Sequence, residues 1–140
     1  MPEPSSPPGG SVPRVLIADD DPDVRAVLSA QLANGGFEVV ATAADTDEAI
    51  ARAAEHQADI AIVDVQMPGG GGVRATHEIR TAAPQTAIVA LSADESERVV
   101  LEMLTAGAVT YIRKGVGAEE LGRLLRESLR ARARLSGRRG

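Results

Sequence analysis

The chain has 140 residues, the length of one domain, and 44% of them are hydrophobic, which is enough for a core of ordinary size. It has no cysteine, no tryptophan and two histidines, so disulfide frameworks, thiolate metal sites and cysteine nucleophiles are excluded and zinc chemistry is disfavoured. The net charge of −5 disfavours nucleic-acid binding by the main body, although seven arginines and one glutamate occupy residues 123–140 and are typical of the solvated side of a last helix.

The first 13 residues hold five of the eight prolines together with serine and glycine, a composition that predicts a disordered N-terminal tail. These residues lack the basic and apolar regions of a signal peptide, and no apolar run in the chain approaches the roughly 20 residues that cross a bilayer. We therefore expect a protein of the cytoplasm that does not bind membranes.

From Arg14 onward, short apolar runs alternate with segments of helical period. Strands are predicted at Val15–Ala18, Phe37–Ala41, Ile60–Val63, Ala87–Leu91 and Val109–Ile112. Helices are predicted at Pro22–Asn34, Thr46–Glu55, Val73–Ala82, Glu95–Thr105 and Ala118–Arg132. Strands this apolar leave no wet face, so the alternation predicts an α/β fold in which helices cover both sides of a five-stranded parallel sheet.

Polar residues follow four of the five predicted strands: Asp19, Asp20 and Asp21 the first, Asp64 the third, Ser92 the fourth and Lys114 the fifth. The carboxyl ends of parallel strands meet at one edge of a sheet, which is where such folds bind ligands. These carboxylates, the hydroxyl and the ammonium are therefore expected to converge.

Clustered carboxylates repel one another unless a cation joins them, and oxygen ligands near water suit Mg²⁺ together with phosphate oxygens. Ser92 can donate to an anionic oxygen and Lys114, the only lysine, can neutralise one, so the arrangement favours a phosphoryl group on Asp64. The alternatives are a surface lysine at 114 and a turn carboxylate at 64. Asp21, directly before Pro22, is predicted to cap the first helix.

Four motifs carry a resemblance to a known family: VLIADDDP at 15–22, DVQMP at 64–68, LSA at 91–93 and YIRK at 111–114. In this order and spacing they resemble the receiver domain of two-component response regulators, over about residues 13–132. The resemblance implies a doubly wound, flavodoxin-like (βα)5 fold with strand order 2-1-3-4-5. Gly115 after Lys114 is similar to receivers that precede a helix-turn-helix DNA-binding domain.

The resemblance implies that Asp64 is the phosphoacceptor and that a sensor histidine kinase is the partner that phosphorylates it. It also implies Mg²⁺ as the cofactor, with carboxylate ligands from Asp20 and Asp64. The backbone carbonyl of Gln66 would be a third ligand, and Asp19 would act through a bound water. The protein would be a signalling switch rather than an enzyme, since it catalyses only its own phosphorylation and dephosphorylation.

The remaining roles follow from the same resemblance. Lys114 would contact the phosphoryl group, Ser92 would be the switch hydroxyl and Tyr111 the switch aromatic. Gln66 and Asp94 would flank the path of the attacking water and tune the lifetime of the phosphorylated state.

Phosphorylation is expected to favour a homodimer through the fourth helix, fifth strand and fifth helix. Charges of both signs suit this face: Arg98, Glu102, Arg113, Glu119 and Arg123. Residues 14–132 are assigned to the receiver domain and 133–140 to an Arg/Gly-rich linker or tail, which favours a fragment of a larger regulator. The run Gly69–Gly72 departs from the family pattern and is expected to be a flexible connector rather than a phosphate cradle.

Two other functions stay open on the sequence. Asp19-x-Asp21 after an apolar strand superficially resembles a haloacid-dehalogenase-type phosphatase, in which Asp19 would be the nucleophile and Asp64 idle. A pseudo-receiver that serves only as a docking module is the third reading, and the full set of acids with Ser92 and Lys114 argues against it.

Overall fold

The computed structural model describes residues 11–93 and 97–139, which form one five-stranded parallel sheet with five helices. The strands are β1 Arg14–Ala18, β2 Glu38–Ala43, β3 Ile60–Asp64, β4 Ala87–Ser92 and β5 Thr110–Arg113. The helices are α1 Pro22–Asn34, α2 Thr46–His56, α3 Gly71–Ala82, α4 Glu97–Ala106 and α5 Ala118–Arg139. The observed strand order, β2-β1-β3-β4-β5, confirms the predicted fold.

Alternation along the central strands divides the core into two layers. Leu16 and Ala18 of β1 face a cluster built with α2, α3 and α4, whereas Val15 and Ile17 face a cluster built with α1 and α5. Successive side chains of a strand point to opposite faces, so a strand buried on both faces must be apolar at every position. This is why β1, β3 and β4 read as unbroken apolar runs.

Aspartate side chains cap the starts of two helices. The Asp21 carboxylate accepts a hydrogen bond from the N–H of Asp23 at the start of α1, which confirms Asp21 as the cap. At α2, the Asp45 side chain accepts from the Glu48 N–H, and Glu48 in turn accepts from the Ala44 N–H. These caps fix where the chain turns from the carboxyl end of a strand into the next helix.

Helix α3 begins at Gly71, inside the glycine run, and not at Val73 as predicted. Gly69, Gly70 and Gly71 have φ values of 94°, 117° and 82°, a left-handed backbone that favours glycine. Gly72 lies against the end of β3, where an added Cβ would come within 2.5 Å of the Asp64 carbonyl oxygen and 2.9 Å of Val65 Cα. The run therefore lets α3 start directly over the residue that ends β3.

Other boundaries differ for packing reasons. Phe37 precedes β2 instead of opening it, since its buried ring packs in the core beneath the Arg126 guanidinium, 4.7 Å from the ring centroid. Helix α5 continues from the predicted end at Arg132 to Arg139, and Arg132 Nη1 donates to the carbonyls of Asp59 and Gln85. No helix within residues 11–93 and 97–139 is long and apolar enough to cross a membrane.

Replacing Gly72 with alanine should lower the free energy of unfolding by about 1–3 kcal/mol, because the new methyl group meets backbone atoms that cannot move without shifting β3 or α3. Urea unfolding followed by circular dichroism measures the loss. Gly117→Ala is the matched control, because nothing lies within 4 Å of a Cβ built there. Equal stability of the two variants would contradict the close approach.

Candidate functional site

The strand register brings two buried carboxylates together. Ala18 of β1 pairs with Val63 of β3, so Asp19 and Asp64, the residues that follow them, lie side by side at the carboxyl edge of the sheet. Both are buried, Asp19 completely and Asp64 to within 3% exposure. This edge lies at the switch point of the strand order, where open α/β sheets bind their ligands.

Lys114 bridges the two carboxylates. Its Nζ lies 3.0 Å from Asp19 Oδ2 and 3.1 Å from Asp64 Oδ2, and it donates a hydrogen bond to the latter. The backbone N–H of Lys114 donates to the carbonyl of Ser92 at 3.0 Å, which places the lysine over the end of β4. The structure thus brings four predicted site residues, Asp19, Asp64, Ser92 and Lys114, to one edge.

The backbone around Asp19 is held firmly. Asp19 Oδ1 accepts a hydrogen bond from the Asp21 N–H at 2.8 Å, and the Asp19 carbonyl accepts one from Arg25 Nη1 at 2.7 Å. Oδ2 accepts no hydrogen bond of acceptable geometry from the residues that the structure describes, although it forms the ion pair with Lys114. A buried carboxylate oxygen in this condition keeps negative charge that a cation nearby can offset.

Asp64 is held through both of its oxygens. Oδ1 accepts a hydrogen bond from the Gln66 N–H at 3.2 Å, and Oδ2 accepts the one from Lys114. Burial raises the pKa of Asp64 to about 6, and the charge of Asp19 adds to the rise, while the bonds from Gln66 and Lys114 only partly oppose it. Burial also tends to lower the pKa of Lys114, but its contacts with Asp19 and Asp64 outweigh this and raise it, so the ammonium stays charged.

Three carboxylates at this edge fit a divalent metal ion. Asp19, Asp20 and Asp64 each offer an oxygen within 4.8 Å of the others, and Asp20 is exposed to solvent. One ammonium among three carboxylates leaves the group negative, and Asp19 Oδ2 forms an ion pair with Lys114 but no hydrogen bond of acceptable geometry with the described residues. A hard cation that takes carboxylate oxygens and keeps several waters, such as Mg²⁺, suits this donor set.

A cleft of about 180 Å³ opens beside Asp64. Its lining consists of Asp20, Asp64, Val65, Gln66, Ser92, Ala93, Val99 and Lys114. A water takes about 30 Å³ of liquid volume, so this space is large enough for several waters or a small polyatomic anion. Among the described residues of this lining, every charged or hydroxyl group was predicted from its place after a strand.

One predicted residue lies away from the cleft, and another lies outside the described residues. Tyr111 on β5 is 39% exposed and is not among the described residues that line the cleft. Asp94 lies outside the described residues, and the predicted helix start at Glu95 does too.

Sequence reasoning missed the apolar part of the lining and one arginine. Val65, Ala93 and Val99 carry no chemical signal, so only packing reveals them. Arg25 did carry a signal: a cation in the first turns of a helix opposes the helix dipole and needs a partner, which here is the carbonyl of Asp19.

The chain matches the protein-family model described as the response regulator receiver domain over residues 15–126. The matched range contains the sheet, apart from Arg14 at the start of β1, and the acidic pair that Lys114 bridges. The response regulator GacA of Pseudomonas viridiflava is 35% identical over 114 residues, which are 81% of this chain and 53% of GacA. Two solved structures are also similar. One is a LuxR-family two-component response regulator from Aurantimonas sp. SI85-9A1, with a TM-score of 0.80, 31% identity and coverage of 86% of this chain and 87% of that one.

The other is a CheX–CheY–BeF3–Mg²⁺ complex from Borrelia burgdorferi, with a TM-score of 0.72, 29% identity and coverage of 77% and 82%. The chain belongs to the response regulator receiver domain family of two-component systems. It spans about half the length of the GacA relatives that it matches.

Metal-free protein should lose stability relative to an Asp64→Asn variant as the pH rises from about 4 to 7. The folded-state pKa of Asp64 lies above its usual value of 3.8, at about 6, so the neutral form favours folding. That contribution is complete below pH 3.8 and is lost as the pH passes 6, which for a shift of this size amounts to about 3 kcal/mol at most. Urea unfolding in EDTA across this range measures the difference.

Asp23→Asn, at an exposed position of α1, is the control. The difference in stability between wild type and this variant should not grow as the pH rises. A constant difference between wild type and Asp64→Asn would show that ionised Asp64 is fully compensated by its neighbours.

Proposed function

We propose that this domain takes a phosphoryl group from a sensor histidine kinase onto Asp64, in a Mg²⁺-dependent reaction, and switches its protein-interaction surface in response. The observation that carries the proposal is the position of Asp64. Its carboxylate is buried at the floor of a polar cleft, one oxygen contacts the only lysine of the chain, and two further carboxylates lie within 4.8 Å. Membership of the receiver family supports the same reading.

The chemistry needs a nucleophile and groups that stabilise charge on three phosphoryl oxygens. An oxygen of Asp64 attacks phosphorus, the bond from phosphorus to the donor's nitrogen or oxygen breaks, and the donor leaves with the electron pair. Lys114 and Ser92 line the cleft beside Asp64, and their ammonium and hydroxyl groups would contact two of the phosphoryl oxygens. Hydrolysis ends the phosphorylated state: water attacks phosphorus, the bond from phosphorus to the Asp64 oxygen breaks, and inorganic phosphate and the free carboxylate are formed.

Asp20, Asp64 and the backbone carbonyl of Gln66 would hold Mg²⁺, with Asp19 acting through a bound water. The ion supplies positive charge that offsets the repulsion between a carboxylate nucleophile and an anionic phosphoryl group. The side chains of Gln66 and Asp94 are proposed to tune the rate of hydrolysis. Asp19 is fully buried and does not line the cleft, which argues against the phosphatase reading in which Asp19 would be the nucleophile.

The proposal makes the chain a switch rather than an enzyme that acts on other molecules. A kinase that draws its phosphoryl group from ATP would meet this domain in the cytoplasm, which is the proposed location. Residues 14–132 would be the receiver domain, residues 1–13 a tail and residues 133–140 a linker or tail. DNA binding is not assigned to this domain, whose main body is acidic.

The output is proposed to run through α4, β5 and α5. A phosphoryl group on Asp64 would attract the Ser92 hydroxyl, and the space that this frees would admit the half-exposed ring of Tyr111. Leu101 and Leu104 on α4 are exposed, as Tyr111 on β5 is, so these elements offer apolar surface for a second copy as well as charge. Arg123 already pairs with glutamates of its own helix, so its charge would add little to the affinity of a dimer. The exposed apolar residues would contribute more.

Incubation with acetyl phosphate and Mg²⁺ should raise the intact mass by one phosphoryl group, and Asp64→Asn should abolish the gain because an amide is not a comparable nucleophile. Asp23→Asn should retain it. A gain that persists in Asp64→Asn refutes the acceptor assignment, whereas no gain in the wild type favours the docking-module reading.

Mg²⁺ affinity should fall more in Asp20→Asn than in Asp19→Asn, because Asp20 is an exposed direct ligand whereas Asp19 is buried and acts through water. We expect the dissociation constant to rise about tenfold or more for Asp20→Asn and by a smaller factor for Asp19→Asn. Isothermal titration calorimetry at pH 8 measures both. The reverse order would exchange the two roles.

Beryllofluoride with Mg²⁺ should convert a mainly monomeric protein into dimers, since exposed charge pairs alone bind weakly and the repacked apolar face adds the missing affinity. Sedimentation velocity measures the change, and tyrosine fluorescence reports Tyr111, the only tyrosine. Ser92→Ala should uncouple beryllofluoride binding from dimerisation. An unchanged sedimentation coefficient and unchanged fluorescence would place the output on another face.

A further inference from the structure

The turn after Asp64, residues 68–71, has a sequence that does not by itself favour one backbone conformation. We call these residues the glycine turn. Three consecutive glycines in it adopt a left-handed backbone, and glycine permits many other conformations at each position. A ligand site built on such a segment needs outside contacts to select one of them, because a site must be held close to its productive geometry.

Helix α2 supplies two of these contacts through Thr46. The Thr46 N–H donates to the carbonyl of Pro68 at 3.0 Å, and its hydroxyl donates to the carbonyl of Gly71 at 3.2 Å. Thr46 is fully buried, and a Cβ added at Gly69 would come within 3.3 Å of Thr46 Cβ. The threonine therefore fills the space beside the turn and binds it at both ends.

Arg74 supplies the third contact from α3. Its Nη1 donates to the carbonyl of Gly69 at 2.6 Å and lies 3.0 Å from Asp47 Oδ1 on α2, while Nε donates to Glu78 at 3.1 Å. The planar guanidinium can make all three contacts at once, which a lysine cannot. Three carbonyls of the glycine turn are thus bound by Thr46 and Arg74 together.

The turn is joined to the acceptor by short links. The Gly72 N–H donates to the Val65 carbonyl at 2.8 Å, and the Gln66 N–H donates to Asp64 Oδ1. Movement of the turn would therefore displace the segment that carries the Gln66 carbonyl and one hydrogen bond to Asp64.

We propose that Thr46 and Arg74 are positioning residues that lock the glycine turn and so hold the Gln66 carbonyl and the Asp64 carboxylate in the arrangement that binds Mg²⁺. The metal half of this inference rests on the proposed function. The locking of the turn rests on the hydrogen bonds alone.

The variants separate the contacts from general stability. Thr46→Val keeps the shape of the side chain and removes the hydroxyl, whereas Thr46→Ser keeps the hydroxyl. Arg74→Ala removes the guanidinium, and Arg52→Ala is its matched control, because Arg52 is similarly exposed and pairs with Glu48 and Glu55 of α2 without contacting the turn.

Two measurements are made on each variant: amide hydrogen exchange of residues 66–72 in metal-free protein, followed by NMR, and the dissociation constant for Mg²⁺ by calorimetry. Thr46→Val and Arg74→Ala should speed exchange at the Gly72 amide and raise the Mg²⁺ dissociation constant by about threefold or more, while Thr46→Ser and Arg52→Ala stay near wild type. Amides of β1 should keep their protection, which shows that the fold is intact.

Wild-type values in both Thr46→Val and Arg74→Ala would overturn the inference, and so would a weaker Mg²⁺ affinity without faster exchange in the turn. If the wild type binds Mg²⁺ and both variants bind it equally well, the positioning role is refuted and the proposed function is not. A wild-type chain that binds no Mg²⁺ would refute the proposed function, and the metal half of the inference with it.

Discussion

One ammonium shared between two buried carboxylates is the interaction on which this site depends. Lys114 contacts Asp19 and Asp64 at about equal distance, so neither carboxylate has a full counter-charge. Taking charges out of water is costly, and a single cation offsets only part of that cost, as the raised pKa of Asp64 shows. The remaining negative charge is what a divalent metal ion at this edge would offset.

The apolar sheet makes this arrangement possible by removing alternatives. Strands β3 and β4 are buried along their whole length and β1 from Val15 onward, so close core packing fixes the positions of their carboxyl ends. The charged residues lie immediately beyond or at those ends, where they have no freedom to separate. The repulsion between Asp19 and Asp64 is therefore retained by the core instead of being relieved by movement.

Much of the site could be predicted because it follows from two simple regularities, apolar runs that end in polar residues and the shared edge of parallel strands. These placed Asp19, Asp64, Ser92 and Lys114 together, as observed. The start of α3 was predicted wrongly. Glycine is a poor helix former, so the sequence pattern favoured a start after the glycine run. The observed start depends on the close approach of Gly72 to β3, a contact between segments that no local pattern records. Val99 was missed for the same reason, since an apolar residue on a helix looks alike whether it lines a cleft or a core.

Because α5 is continuous to Arg139, each of its last residues has a fixed angle of rotation about the helix axis relative to the domain. Arg132 ties the helix to the carbonyls of Asp59 and Gln85 at the edge of the sheet opposite the site, so the following turns keep a fixed direction as they leave it. Each residue of an α-helix advances about 1.5 Å and rotates by about 100°. One residue inserted after Arg132 would therefore turn anything attached at Arg139 by more than a quarter of a revolution while moving it outward by less than the width of an atom.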